Sequence, residues 1–474
     1  GNSGNSDSWS LFSMFARVNY NYDNKYMLEG VVRRDGSSRF GPDHRYGTFP
    51  AVSAAWRMSK EEFMEASSGW LADLKLRLGF GVTGNDRVGN YNSYTNFAID
   101  YFDSFYPVSG ANTTIGATGF FQSTLGNPNV KWETTATTNV GIDLALKNNF
   151  TASVDLWRRM TSDMLYPQQI PMVMGRASAP SVNVGEMKNI GIDIELGYMG
   201  TALGRDFTYN IDLNVSHYKN EIVKLSSKES EFLAGDSFRE MVYTRSEIGT
   251  SFPEFYGYVI EGIFQTQAEV DAWPKNGTYN KIGRYKFKDV NGDKVIDADD
   301  RTYIGSPHPL FVSSLNLGLN YKGIGLLAQF YGSYGNKMVN YVRRWIDFNQ
   351  FSGGRSYDRL YTSFGSPYLS DNTKAKLPMA ESNDTESQLP SSVFVEDASY
   401  LRLENLRISY DLNRVIKSEF INSLQVFGQM TNVFTLTKYS GLDPEDNSSG
   451  ANLGVDEGGW PTPRQIMFGV NIGL

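Results

Sequence analysis

Cysteine is absent from the 474 residues, so neither a disulfide framework nor a thiolate metal site is available. Histidine is scarce: His44, His217 and His308 lie far apart in sequence, which argues against a histidine-rich catalytic centre. Basic charge is not in excess either. The formal net charge is −8, and nothing in that balance invites nucleic acid. No apolar run approaches the roughly 20 residues that a membrane-spanning helix needs, which excludes a helical membrane protein. A strand-built membrane protein survives that exclusion, because its strands are apolar on one face only. No signal peptide is visible and the opening GNSGNSDS reads as loop, so the sequence is expected to begin partway through something larger.

What is plentiful points to strands and turns. Phe (29), Tyr (28) and Trp (8) bring the aromatic content to 14%, and glycine numbers 46. Apolar and polar residues alternate with period two. In LKLRLGFGV, Leu74, Leu76, Leu78, Phe80 and Val82 share one face, with Lys75, Arg77, Gly79 and Gly81 on the other. Val140, Ile142, Leu144 and Leu146 alternate with Gly141, Asp143 and Ala145. The same holds for IGIDIELGY (190–198), FTYNIDLNV (207–215) and the last residues, where Ile466, Phe468, Val470, Ile472 and Leu474 fall together. These strands run about 9 to 14 residues, longer than is usual in soluble sheets and suited to tilted membrane-spanning strands.

A large soluble β-sandwich or propeller also alternates, but its connections are more even in length. Here tight turns at 22–25, 147–149, 200–206 and 321–324 take turns with long polar loops at roughly 84–130, 165–187, 223–309, 337–394 and 437–463. Short turns on one side and long loops on the other are the pattern of an outer-membrane barrel. The pattern predicts thirteen strands, near 9–21, 25–34, 47–58, 72–83, 131–146, 149–164, 188–200, 206–222, 310–321, 324–336, 396–412, 423–436 and 464–474; FYGYVIEGIF (255–264) is a candidate further hairpin. With the short turns periplasmic, both the first and the last of these strands run inward. A complete single-chain barrel has an even strand number, and an open sheet edge in lipid leaves backbone groups unsatisfied at several kcal/mol each. The expected fold is therefore all-β: an antiparallel transmembrane β-barrel, of which residues 1–474 are the C-terminal portion.

Several segments carry a family resemblance. NYDNKYMLEGVVRRDGSSRFGPDHRYGTFPAVSAAWRMSKEEFM (21–64), LKLRLGFGVTGN (74–85), NVGEMKNIGIDIEL (183–196), FYGYVIEGIFQ (255–265), KFKDVNGDKVIDADDRTYIGSPHPLF (286–311), SYLRLENLRISYDL (399–412), GLDPE (441–445) and GGWPTPRQIMFGVNIGL (458–474) closely resemble SusC/RagA-like TonB-dependent outer-membrane transporters of Bacteroidetes, in the family's order. The resemblance implies a 22-stranded barrel, of which thirteen C-terminal strands would be the last part, with an N-terminal plug and a TonB-interacting segment that this sequence does not carry. It implies active import of oligosaccharides or peptides, energised through TonB, with a SusD-like surface lipoprotein capping long extracellular loops. The short turns and the C-terminus would be periplasmic, in the outer membrane of a Gram-negative bacterium.

Inside the long 223–309 connection, DVNGDKVIDADD has the spacing of a twelve-residue calcium loop. Asp289, Asn291, Asp293, the Val295 carbonyl, Asp297 and Asp300 occupy positions 1, 3, 5, 7, 9 and 12, enough oxygens to wrap one ion. Lys294 stands where glycine normally turns the chain, and Asp300 is shorter than the usual glutamate. Two readings stand: a structural calcium site, or an acidic turn held by Asx hydrogen bonds without metal.

Other residues divide between wall and loop. His217, Trp132, Trp157 and Tyr198 suit the aromatic and interfacial belts of a barrel wall. Asp143, Asp193, Glu195 and Asp212 would make its interior polar and wet, as hydrated wall residues rather than a hydrolase pair. Tyr101, Phe102, Phe105, Tyr106, Tyr357 and Tyr361 are loop aromatics placed either to pack loop on loop or to stack on a ligand. No catalytic set is found, and no residue pattern names a substrate. The alternatives to a transporter are a passive outer-membrane porin, which would have an even strand count, and a soluble β-rich adhesin or lectin, which would fold its apolar faces inward.

Overall fold

A computed structural model of the chain describes residues 7–99, 105–107, 116–167, 175, 177–225, 232–235, 238, 241–348, 354–416, 420–445 and 448–473. Thirteen long strands make one sheet in chain order: β1 (Leu11–Tyr22), β2 (Tyr26–Ser37), β3 (Tyr46–Arg57), β4 (Leu71–Asn85), β5 (Glu133–Leu146), β6 (Phe150–Ser162), β7 (Glu186–Ala202), β8 (Phe207–Lys224), β9 (Phe311–Tyr321), β10 (Ile324–Tyr334), β11 (Tyr400–Asp411), β12 (Ser423–Thr437) and β13 (Gln465–Gly473). The thirteen expected strands are these thirteen. One boundary differs clearly: β11 begins at Tyr400 instead of 396, because Val395–Asp397 leaves the wall to pair with Lys337–Asn340 in a loop sheet.

The short connections have the dihedrals that hairpins demand. Asp23 and Asn24 both take φ of 50°, and the Lys25 N–H donates to the Tyr22 carbonyl at 2.9 Å. Lys322 (φ 49°) and Gly323 (φ 88°) make the equivalent turn between β9 and β10. Consecutive positive φ values match the right-handed twist of the strands they join.

The two strand faces are inverted relative to a soluble sheet. Leu78, Phe80, Val140, Ile142, Ile190 and Ile211 are all exposed, and so are Ile466, Phe468, Val470 and Ile472 on β13. On β4 and β5 the polar residues opposite them, Lys75, Arg77 and Asp143, are half-buried in mutual ion pairs. Contiguous exposed apolar surface on this scale needs an apolar surround. A soluble adhesin or lectin, which needs these faces turned inward as a core, does not fit.

The chain divides into two compact units. One comprises Gly1–Asn148, Ser153–Ile192 and Glu221–Glu231. Its loops are gathered on a small core of Phe40, Phe49, Val88, Val130 and Trp132. Trp132 corrects the sequence expectation of a belt residue. It is buried, its ring 5.0 Å from Phe40 and 5.3 Å from Phe49, and its indole N–H donates to the Arg45 carbonyl at 3.1 Å. Trp157 is a second correction: half-buried beneath the Arg159 guanidinium at 4.7 Å, it shares the polar strand face with Ser153 and Asp155, whereas Tyr198 is exposed, 5.8 Å from the Tyr209 ring.

The second unit comprises Asn149–Ala152, Asp193–Asn220 and Phe232–Leu474. Its largest core lies in the connections and not in the wall: Tyr243, Phe255, Ile263, Tyr279, Tyr285, Phe287, Ile296, Val339, Tyr341, Phe348, Phe394 and Val455. These residues come from the 223–309 connection and from two others, 335–399 and 438–464. The 255–264 stretch adds no hairpin to the wall. It splits between Glu254–Gly257, which pairs with Thr302–Gly305, and Ile260–Ile263, which pairs with Tyr285–Phe287. Pairing with sequence-distant partners lets one short stretch tie two layers of the loop core together.

Candidate functional site

The loop core of the second unit carries a cavity of about 720 Å³ lined from residues 340–347, 356–358, 440–442 and 456–458. The short helix Val342–Ile346 brings Arg343 and Trp345 to its wall; the helix Tyr357–Tyr361, capped by the Ser356 hydroxyl on the Arg359 N–H, brings Tyr357 and Asp358. Val455 and Asp456 pair in parallel with Val339 and Asn340, and Glu457, the next residue, also lines the cavity.

Four carboxylates, Asp347, Asp358, Asp456 and Glu457, and one guanidinium, Arg343, stand in a lining that is otherwise largely apolar, with Val342, Trp345, Ile346 and Leu442 among it. That guanidinium is already committed. It donates to Asp347 at 2.9 Å, to the Val393 carbonyl at 2.7 Å and to Glu396 at 3.3 Å. Burial pulls its pKa down, but the Asp347 and Glu396 carboxylates outweigh that and raise it, so it stays charged. Asp456 accepts from the Tyr439 hydroxyl and from the Gly458 N–H at 2.8 Å. Asp358 and Glu457 are exposed, and neither has a cationic partner among the described residues.

Asn340, 2% exposed, stands at the inner wall. Its amide nitrogen donates to Ser440 Oγ at 3.1 Å and to Glu396 at 3.4 Å, while Ser440 Oγ itself donates to Glu396 at 2.8 Å. With the serine proton spent on the carboxylate, the orientation of the amide is fixed. Asn340 Oδ1 is left a buried acceptor with no partner.

The 289–300 loop forms with its carboxylates turned onto backbone amides. Asp289 accepts from the Gly292 N–H at 2.6 Å and the Lys294 N–H at 2.9 Å; Asn291 accepts from Asp293 N–H at 2.9 Å, and Asp293 from Val295 N–H at 2.8 Å. Asp297 accepts from Asp299 N–H at 2.9 Å. Asp300, fully buried, accepts from Val290 N–H at 2.7 Å and Asp297 N–H at 2.9 Å, so the two ends of the loop are joined through it. Lys294 adopts φ of 69°, the conformation glycine would supply, and so does not break the turn. Among the described residues no group of three or more His, Asp or Glu side chains converges as a metal cluster.

The expected interior carboxylates lie on the polar face of the strands. Asp143 receives Lys75 at 2.7 Å and Arg77 at 2.8 Å, and Arg77 also reaches Asp155 at 2.8 Å. Gly141, directly opposite Arg77, makes the room: a Cβ there would come within 2.4 Å of Asp155 and 2.7 Å of Arg77. His217 is exposed, with Nδ1 against the Leu310 carbonyl. His308 is different. Its Nε2 is 2.9 Å from the Phe252 carbonyl and its Nδ1 3.2 Å from the Tyr218 hydroxyl, and burial holds its pKa below the ordinary histidine value. Tyr101 and Phe102 lie outside the described residues, as do the side chains of Phe105 and Tyr106. Tyr357 and Tyr361 stack at 6.3 Å and Tyr361 meets Tyr368 at 5.6 Å, yet these rings remain 81%, 49% and 62% exposed. They pack on one another without being buried.

Sequence reasoning missed the cavity, whose residues come from two distant connections with no shared motif. It also missed Arg402, although the signal was present. Its side chain, 3% exposed, pairs with Asp443 and Glu445, so the SYLRLENLRISYDL and GLDPE segments meet in one ion cluster.

Long antiparallel strands with a bared apolar face, an ion-paired polar face and heavily folded connections define the wall of a membrane β-barrel. The chain belongs to the TonB-dependent receptor family: it matches the family described as TonB dependent receptor-like, beta-barrel, over residues 1–433. It is 30% identical over 473 residues to TonB-dependent receptor P3 of Formosa agariphila, covering 98% of this chain and 45% of that one. To TonB-dependent receptor SusC of Bacteroides thetaiotaomicron it is 28% identical, covering 98% and 44%. Among solved structures, that of the RagAB peptide transporter superposes with a TM-score of 0.79 at 27% identity, covering all of this chain and 49% of that one. The chain thus spans a little under half the length of these relatives. The family is an outer-membrane family of transport proteins, not of enzymes.

Proposed function

We propose that this chain supplies wall and external loops to a transporter that imports oligosaccharides or peptides across the outer membrane, energised through TonB. A SusD-like surface lipoprotein covers its long loops, which face outward, while the short turns and the C-terminus face the periplasm. Further strands and a plug, as in the 22-stranded relatives that the sequence resembles, complete the pore. The observation that carries this reading is the end-to-end alignment of the thirteen-strand meander with SusC and with the RagAB peptide transporter. The exposed apolar strand faces support placement in lipid. β1 and β13 each have one neighbour in the sheet, and in a bilayer their free edges require further pairing. The test is uptake of labelled oligosaccharide and peptide pools by cells carrying the complete receptor, with and without a working TonB. Active import predicts at least a tenfold loss when TonB is removed. A passive porin predicts uptake that follows the concentration gradient and ignores TonB.

We further propose that residues 289–300 bind calcium in a structural role, through Asp289, Asn291, Asp293, Asp297, Asp300 and the Val295 carbonyl. In support, the left-handed Lys294 preserves the turn, and each carboxylate oxygen that accepts one N–H keeps a lone pair for an ion. With every carboxylate already shared with an amide, binding is expected in the weak range, about 10⁻⁴ to 10⁻³ M. Calorimetric titration of the complete receptor should show one such site, lost in Asp289→Asn/Asp293→Asn. A titration without heat up to about ten times that range, in a folded receptor, refutes it.

A further inference from the structure

A separate cavity, of about 460 Å³, lies in the first unit where β1 begins and β2 ends, at the strand ends opposite the Asp23–Asn24 turn. We infer that it is a subsite for an acidic sugar unit of the imported ligand, its carboxylate on Arg45 and Arg39 and its ring face on Trp9, Tyr91 and Tyr94. The inference rests on the transport reading and narrows it to oligosaccharides that carry uronic acids.

The charge of the lining is unbalanced. Acidic side chains outnumber basic ones in the chain, yet this lining holds two guanidiniums and no carboxylate. Arg45 is half-buried. Its Nε is sealed in the wall without a partner, whereas both Nη groups reach the surface. Neither Nη makes a hydrogen bond or an ion pair among the described residues. Arg45 is therefore a donor fork held at its neck, with no acceptor in the fold. Arg39 is anchored. Its Nε donates to Asn90 Oδ1 at 2.8 Å and its Nη1 to the Asp86 carbonyl at 3.2 Å, with Cζ 4.3 Å from the centre of the Trp9 ring. The Asp86 carboxylate, 3.6 Å from that Nη1 and outside the lining, offsets part of the charge, and Nη2 keeps no partner among the described residues. Planar N–H forks of this kind match a carboxylate.

The rings are presented by an anchored turn. Trp9, Tyr91 and Tyr94 are 51%, 47% and 58% exposed at the cavity, while Asn92 and Ser93, between the two tyrosines, are buried. The Tyr94 N–H donates to the Tyr91 carbonyl and the Asn127 N–H to the Asn92 carbonyl, both at 2.9 Å. Gly126 backs the turn so closely that a Cβ there would come within 2.2 Å of the Tyr94 carbonyl carbon. Tyr91 takes φ of 61°, a left-handed conformation that bulky residues rarely adopt, and its hydroxyl lies 3.3 Å from Ser8 Oγ. A strained residue and a buried turn thus hold two tyrosine rings in the open, as backbone strain at binding sites commonly does.

These features select the ligand together. Two cations without an acid favour an anion, and three half-exposed rings favour a body with flat apolar faces. A uronic acid unites both on one ring, with C–H groups on its face and a carboxylate at its edge. A glutamate or aspartate side chain brings the carboxylate on a flexible stem with no face to stack. The volume lies within the range that holds small ligands.

The test uses the complete receptor, purified without lipoprotein, and three probes: trigalacturonate, its methyl ester and a triglutamate peptide. Trigalacturonate is expected to bind about tenfold more tightly than the ester at low salt, a margin that shrinks as salt is raised. Arg45→Gln removes a charge that makes no ion pair within the fold, so thermal unfolding should stay unchanged while the margin is lost. Tyr94→Ala should weaken acid and ester by the same factor and keep the margin. Equal binding of acid and ester to the unaltered receptor overturns the inference while leaving import intact. Triglutamate bound as tightly as trigalacturonate overturns the sugar assignment, and a margin that survives Arg45→Gln overturns the site. A receptor that binds none of the three, yet imports neutral oligosaccharide or peptide under TonB control, also overturns the inference and leaves the transport reading standing.

Discussion

Replacing Phe255 with alanine is expected to loosen the loop core by about 3–5 kcal/mol, the cost of deleting a buried phenylalanine in a close-packed site. Phe255 is fully buried, on the strand Glu254–Gly257 that pairs with Thr244–Ser246 on one side and Thr302–Gly305 on the other. Its ring also lies against Gly454 of the third connection, where a Cβ would come within 2.7 Å of it. One ring therefore serves three segments, and collapse cannot fill the gap without moving a sheet. The measurement is amide hydrogen exchange on the complete receptor. Protection across Thr244–Ser246, Thr302–Gly305 and residues near Gly454 should fall together, by roughly 10²- to 10⁴-fold in the opening equilibrium. Leu78→Ala, at an exposed position on β4, should leave all three unchanged. If only residues next to position 255 lose protection, the connections are not one cooperative body.

How much of this was legible beforehand follows from the range of the forces involved. A strand that presents one face to lipid and the other to water writes its conformation into every second residue. Leu74 to Val82, Val140 to Leu146 and Ile466 to Leu474 therefore revealed their strands directly. Tight turns were equally local, because Asp23–Asn24 and Lys322–Gly323 supply the positive φ values themselves. Trp132 failed for the opposite reason. Adjacent to the start of a strand, it has the same identity whether it meets lipid or Phe40 and Phe49, and only distant chain decides. The stretch 255–264 failed likewise. Its composition forecast strands correctly, but their partners lie 22 to 27 and 45 to 50 residues away, at 285–287 and 302–305. The calcium motif was readable as spacing alone, since Asp300 turns inward to amides whose positions depend on the folded loop. The candidate site was the least legible part, being assembled from two connections whose residues share no repeat.

Asp443→Asn is expected to free the connection 438–464 from the wall, at a cost of about 3 kcal/mol, the low end for removing one partner of a buried ion pair. Arg402 projects from β11 with its side chain 3% exposed, between Asp443 at 12% and Glu445 at 50%. Its Nε also donates to Thr435 Oγ1 at 3.0 Å, which fixes the plane of the guanidinium. Asp443 does more than neutralise it. One carboxylate oxygen accepts from Glu445 N–H at 3.0 Å and the other from Thr462 N–H at 3.0 Å, so both ends of the connection close on one side chain. Burial alone would raise the Asp443 pKa, but the hydrogen bonds from Thr462 and Glu445 and the charge of Arg402 together hold it below the ordinary carboxylate value. A carboxylate whose folded-state pKa is lowered stabilises the fold fully above its unfolded value of about 3.9, and loses that contribution as pH falls through the folded value. Protease access to residues 441–464 should accordingly stay low down to about pH 4 and rise below it in the unaltered receptor. In Asp443→Asn it should be high at neutral pH, because the charge is missing throughout. Arg402→Met added to Asp443→Asn should recover part of the loss, since a buried guanidinium left with only the half-exposed Glu445 carboxylate costs more than a buried thioether. If the double variant is instead as loose as the sum of both single changes, Arg402 and Asp443 act independently, and the pair is not what holds the connection down.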